Sequence, residues 1–169
     1  MGRSKAKKFV RSVYEEQLRS SYGDLSSPHF QFVRNSVTNR EPFGTILREL
    51  GHIGPVEDDT DTNCDVCFTY VVNAARPLIV KLSMVGPYAV ILTFGEDGLG
   101  VGALVSPLGH MGPAESDVAS VLTTHGFTLL PSDHLEQAVS IALVEGRDQV
   151  SLYAALFEPE GQIPWASGD

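Results

Sequence analysis

Cys64 and Cys67 are separated by two residues, in "CDVC", a spacing that zinc sites and dithiol redox motifs share. A structural zinc centre needs about four ligands, commonly with a second close pair. The histidines that could complete one, His29, His52, His110, His125 and His134, are scattered singly. Redox chemistry of the thioredoxin kind places the first cysteine at a helix N-terminus, whereas this pair leads into the β-rich run "FTYVV". Both cysteines therefore read as structural. Just before them, Glu57, Asp58, Asp59, Asp61, Asn63 and Asp65 form a dense acidic run. Asp59, Asp61 and Asn63 alternate like the first ligands of a calcium hand, but the sixth and twelfth positions, which require Gly and Glu, hold Cys64 and Tyr70. The run is expected to bind neither a metal nor any other cofactor. It reads as an exposed docking loop, whose carboxylates steer Lys and Arg of a partner into register.

Two further stretches could carry chemistry. In "GEDGLGVG" the glycines miss the dinucleotide spacing, no Lys-Ser/Thr pair follows, and Glu96 and Asp97 would repel a phosphate, so hairpin glycines are expected. In "SPLGHMGP", Ser106 and His110 stand close together as a nucleophile and base would, yet no elbow motif surrounds the serine. A small enzyme or ligand-binding domain using His110 as general base stays open as an alternative. The leading expectation is a protein that is not an enzyme.

Charge is laid out unevenly. Residues 1–48 carry nine Lys and Arg against four Asp and Glu, and the rest carries three against seventeen, which together make the net charge of −9. An acidic body of this kind repels nucleic acid and attracts basic proteins. The basic start, Arg3, Lys5, Lys7 and Lys8, has too little aromatic interleaving to favour nucleic-acid binding, and residues 1–8 are expected to form a flexible tail. No stretch approaches the roughly 20 apolar residues of a membrane span, and no apolar signal core follows the basic start, so a cytoplasmic protein is expected. The 169 residues, 43% of them apolar, suit one folded domain.

The elements that would position these residues make an α+β pattern. Residues 7–22 read as an amphipathic helix stopped at Gly23, and "EPFGTILRELG" as a second helix with Pro42 in its first turn and Gly51 just past its end. "HFQFVRN" is ambiguous, and residues 52–64 read as loop. Then "DVCFTYVV", "LIVKLSM", "YAVILTF" and "LGVGALV", separated by turn residues, predict a four-strand antiparallel meander over about 65–105. Val66, Phe68, Tyr70 and Val72 share one face, which is expected to be the more buried. Pro113 and Glu115 open a helix that Gly126 ends, "FTLL" returns as a strand, and Ser132 caps a small helix running through Val139. "VSLYAALF" reads as a strand running into a turn. The expected whole is an antiparallel sheet packed with N-terminal and C-terminal helices.

Two segments, "VKLSMVGPYAVILTF" and "LYAALFEPEGQIPW", resemble small acidic bacterial proteins of immunity type. The resemblance covers about a fifth of the chain and implies a compact α+β domain that neutralises a cognate toxin by occlusion. In that reading Glu57, Asp58, Asp59, Asp61 and Asp65 meet basic residues at the toxin's active-site mouth, and Trp165 supplies a desolvated anchor, although by its residue type Trp165 is expected rather to cover the edge of the core. A regulatory or scaffold subunit of a larger complex is the remaining alternative.

Overall fold

The computed structural model describes residues 13–166, and the expected basic tail over residues 1–8 lies outside them. The protein is α+β. A helix over residues 13–22 (α1) ends where Gly23 takes φ +76°, and α2 (Gln31–Thr38) resolves the ambiguous "HFQFVRN" as a helix whose Val33 is buried. α3 (Glu41–Ile53) runs two residues beyond Gly51, where a stop was expected. Its end is set instead by Gly54, whose extended backbone lies so close to Asn73 that a Cβ there would meet the Asn73 carbonyl oxygen at 2.5 Å.

The chain then enters the sheet through β1 (Val56–Asp58), a short strand inside the stretch expected to be loop. Four strands follow as the meander: β2 (Cys67–Val72), β3 (Leu78–Ser83), β4 (Tyr88–Phe94) and β5 (Val101–Leu104). They pair antiparallel in the order β1-β2-β3-β4-β5, and α4 (Pro113–Thr124) returns the chain to β6 (Thr128–Leu129), which pairs parallel with the free end of β4. Pro113 sits in the first turn of α4, and the Glu115 carboxylate accepts a hydrogen bond from the Gly112 N–H at 2.9 Å.

The last third departs from expectation. The short helix α5 (Ser132–Leu135) stops before Val139, which belongs to β7 (Ala138–Val144), paired antiparallel with β8 (Arg147–Ser151) around a turn in which Gly146 has φ +77°. The segment "LYAAL" is a helix, α6 (Leu152–Leu156), capped by Ser151, whose hydroxyl accepts from the Ala154 N–H. Buried on every side, it has no polar face to betray a helical period.

Register assigns the two faces of the sheet. Phe68, Tyr70 and Val72 oppose Leu82, Val80 and Leu78 on one face, which α3 and α4 cover; Phe43 of α3 meets Phe68 with ring centroids 4.6 Å apart. Cys67 and Thr69 oppose Ser83 and Lys81 on the other, under α1 and α6, where the Tyr22 hydroxyl donates to the Ala155 carbonyl and Ser83 to that of Leu156. Both faces are thus buried, where one was expected to be the more buried, and every residue of β3 is buried. No helix among the described residues is long and apolar enough to cross a membrane.

Candidate functional site

β1 forms the edge of the sheet; its Glu57 and Asp58 fall on opposite faces, and Asp59 follows just beyond it. Glu57 opposes Val71, Asp58 opposes Tyr70, and the Asp59 N–H continues the ladder by donating to the Thr69 carbonyl. All three carboxylates are exposed, as suits an edge strand protected from pairing by charge. Together with Glu96 of the β4–β5 loop and Glu115 of α4 they line an open cleft of about 910 Å³, which contains one base, Arg76. Five acidic residues against one base make the cleft negative, a field that concentrates cations.

Within this cleft the carboxylates are not equivalent. Asp58 is engaged already: Arg40 donates to its Oδ2 at 3.0 Å and the Thr60 N–H to its Oδ1 at 3.0 Å. Burial would raise the Asp58 pKa, but the hydrogen bonds from Thr60 and the Arg40 charge outweigh it and hold the carboxyl below the usual range. Arg40 is itself held over the Phe68 ring, 4.8 Å from its centroid. Among the described residues, Glu57, Asp59 and Glu96 have no such ion pair.

The rest of the expected docking set lies elsewhere. Asp61 is exposed in the next turn, its Oδ1 accepting from the Asn63 N–H. Asp65 is half-buried and turns to a different cleft, of about 600 Å³, beside Phe30, Val33, Leu143 and Glu160. Its pKa is pushed up to about 6 by burial, with Lys81 opposing and the carboxylates of Glu158, Asp61 and Asp59 reinforcing the rise. Trp165 is partly buried in a 3-10 turn (Pro164–Ala166) that packs beside β5, at the opposite edge of the sheet from β1. Its indole N–H donates to Glu136 at 2.9 Å and its ring meets Tyr153 edge-on at 5.3 Å, so it covers the core and does not adjoin the acidic cleft.

The other candidate groups are separated in the same way. Cys64 is exposed and Cys67 fully buried; burial pushes the Cys67 thiol up to about 12, and Asp61 raises that of Cys64, so neither is an activated thiolate. No group of three or more His, Cys, Asp or Glu suited to a metal ion occurs among the described residues. Gly98 and Gly100 take positive φ in the β4–β5 hairpin, as expected of turn glycines. The Ser106 hydroxyl accepts from the Leu108 N–H, and no hydrogen bond joins it to His110 among the described residues. His110 lies at a small pocket with Ala75, Leu78, Pro113 and Ala114.

One polar constellation escaped the sequence reading altogether. Lys81, 5% exposed in the centre of β3, donates to Glu158 Oε1 at 2.8 Å and to Thr69 Oγ1 at 3.1 Å, while the Tyr153 hydroxyl donates to Glu158 Oε2 at 2.9 Å. Burial works to lower the Lys81 pKa, but Cys67, Glu158 and Asp65 reverse it, and the ammonium stays charged. A lone Lys in the apolar run "LIVKLSM" was the available signal, since a buried charge requires a partner. That partner lies 77 residues away, at the end of α6, beyond any local pattern. The network ties the C-terminal segment to the middle of the sheet. Comparison of the chain with protein-family models, with curated proteins and with solved structures finds no match.

Proposed function

We propose that the chain is a protein-binding module whose acidic β1 edge docks a basic protein. The observation that carries this reading is the 910 Å³ cleft lined by Glu57, Asp58, Asp59, Glu96 and Glu115 with Arg76 as its one base. Fixed carboxylates at a concave sheet edge lower the potential where a partner's Lys and Arg arrive, which accelerates encounter and disfavours anionic competitors. In its finer form, the proposal is that the partner is a bacterial toxin with a basic active-site mouth and that the chain is its immunity protein, neutralising it by occlusion. The resemblance of "VKLSMVGPYAVILTF" and "LYAALFEPEGQIPW" to immunity-type proteins supports that form. Of the acidic residues, Glu57, Asp59 and Glu96 are assigned the leading part, because Asp58 is already paired with Arg40.

The test is affinity capture with the tagged chain and with a Glu57→Gln, Asp59→Asn, Glu96→Gln variant, at low and moderate salt. The wild type should retain a basic protein that is toxic when expressed alone and harmless when co-expressed with this chain. The variant should bind it with association roughly tenfold slower at low salt and with a shallower salt dependence. Capture unaffected by the three substitutions would sink the docking assignment. A retained partner that is not toxic would reject the immunity role and leave a scaffold or regulatory complex.

A further inference from the structure

The acidic cleft does not end at Glu115. Arg76 and Glu115 also line the pocket at His110, about 600 Å³ in volume, whose remaining walls include the apolar side chains of Ala75, Leu78, Pro113 and Ala114. The two concavities therefore adjoin, one negative and one largely apolar, with Arg76 and Glu115 between them. Arg76 has no ion pair among the described residues, so its charge disfavours a cation at the mouth of the apolar pocket.

The loops around these two concavities also hold the two most exposed large hydrophobic residues described, Leu99 at 76% and Leu108 at 86%. Leu99 lies in the β4–β5 hairpin whose Gly95, Glu96 and Gly98 line the acidic cleft, where the Asp97 carboxylate accepts from its N–H. Leu108 lies two residues before His110, its N–H held by the Ser106 hydroxyl. A single exposed leucine is ordinary. Two in the loops that also supply residues to these adjoining clefts add apolar surface that a docked segment would cover.

We infer that the pocket at His110 receives a large apolar side chain of the basic partner docked on the β1 edge, with Leu99 and Leu108 closing against the same segment. The inference rests on the proposed docking reading and adds its anchor. The partner is a basic segment bearing one Leu, Met or Phe flanked by Lys and Arg: the cations lie in the larger cleft, and the apolar group lies past Arg76. The anchor belongs to the partner and fills a pocket of this chain, which replaces the anchoring role expected of Trp165.

The experiment is selection of a displayed library of random-sequence peptides on three forms of the full chain: wild type, Leu99→Ser with Leu108→Ser, and Ala114→Trp, which fills the pocket. The leucine substitutions lie on the exposed surface and leave the core intact, so they keep the test valid if Ala114→Trp impairs folding. Wild type should enrich basic peptides carrying a large apolar residue, and peptides selected in this way should bind the variants about ten- to a hundredfold more weakly, the effect of withholding one large side chain from burial. Enrichment of basic peptides with no apolar preference, or binding indifferent to the substitutions, would overturn the anchor while leaving the acidic docking surface standing. Enrichment of no basic peptide would overturn both.

Discussion

Replacing Glu158 by Gln tests whether the buried ion pair holds the C-terminal segment onto the sheet. The substitution preserves side-chain size and leaves the Lys81 ammonium, 5% exposed, facing a neutral amide and the Thr69 hydroxyl. Removing one member of a buried pair costs about 3–5 kcal/mol, because the remaining charge stays desolvated. Asp65 lies near enough to Lys81 to supply part of the missing negative charge, so the lower end, about 3 kcal/mol, is expected here. For a chain of this length that corresponds to a melting point lowered by roughly 6–12 °C. Urea denaturation at neutral pH would measure it directly. Adding Lys81→Met removes the orphaned charge, and the double variant should recover about half of the loss or more. The exposed Arg19–Glu15 pair provides the contrast, since Glu15→Gln should change stability by less than about 0.5 kcal/mol. A Glu158→Gln loss no larger than that of the Glu15 control, or a double variant as unstable as the sum of its single variants, would refute the reasoning.

Asp65 has a folded-state pKa raised from 3.8 to about 6, so between those values the folded protein binds the extra proton and stability falls as pH rises. Asp65→Asn should therefore stabilise at pH 7.5 by about 1 kcal/mol, allowing for its partial exposure, and have little effect near pH 4, as checked by denaturation at both pH values. Tyr70 has a buried hydroxyl with no hydrogen-bond partner among the described residues, and Tyr70→Phe should leave thermal stability unchanged or raise it by up to about 1 kcal/mol. Gly54→Ala drives a Cβ against the Asn73 carbonyl and should destabilise by about 1–3 kcal/mol, with exchange of the β1 amides accelerated in hydrogen-exchange measurements.

The meander was legible because β-branched runs and turn residues alternate cleanly through "LIVKLSM", "VGP", "YAVILTF" and "GEDG", and α4 because Pro113 and Glu115 mark its start. Where tertiary burial overrides local pattern, legibility failed. α6 is buried all round and so shows no amphipathic period. In "AVSIALV", burial alternates at Val139 and Ile141, a period-two signal that the nearby Ser132 helix start obscured. The acidic run was recognised as a surface, but its division was not: Glu57, Asp58 and Asp59 line one cleft, while the chain beyond carries Asp65 to another. The carboxylates that complete the first cleft, Glu96 and Glu115, arrive from a hairpin and a helix that only the fold brings to this edge.

α1 and α6 close the same face of the sheet, and the Tyr22 hydroxyl reaches the Ala155 carbonyl across 133 residues of chain. During synthesis, α1, α3, α4 and all strands of the meander leave the ribosome before α6 does. Until then the Cys67–Lys81 face has only α1 to cover it, and Lys81 has no counterion from Glu158. Between the end of β5 and the arrival of α6 the nascent chain therefore carries a half-covered sheet face, the kind of surface that aggregates or recruits chaperones. Its final collapse must wait for these distant contacts, which makes maturation slow relative to a helical bundle of equal size. A stop codon just before residue 152 would yield a chain with a complete meander and only α1 on the face that α6 shares.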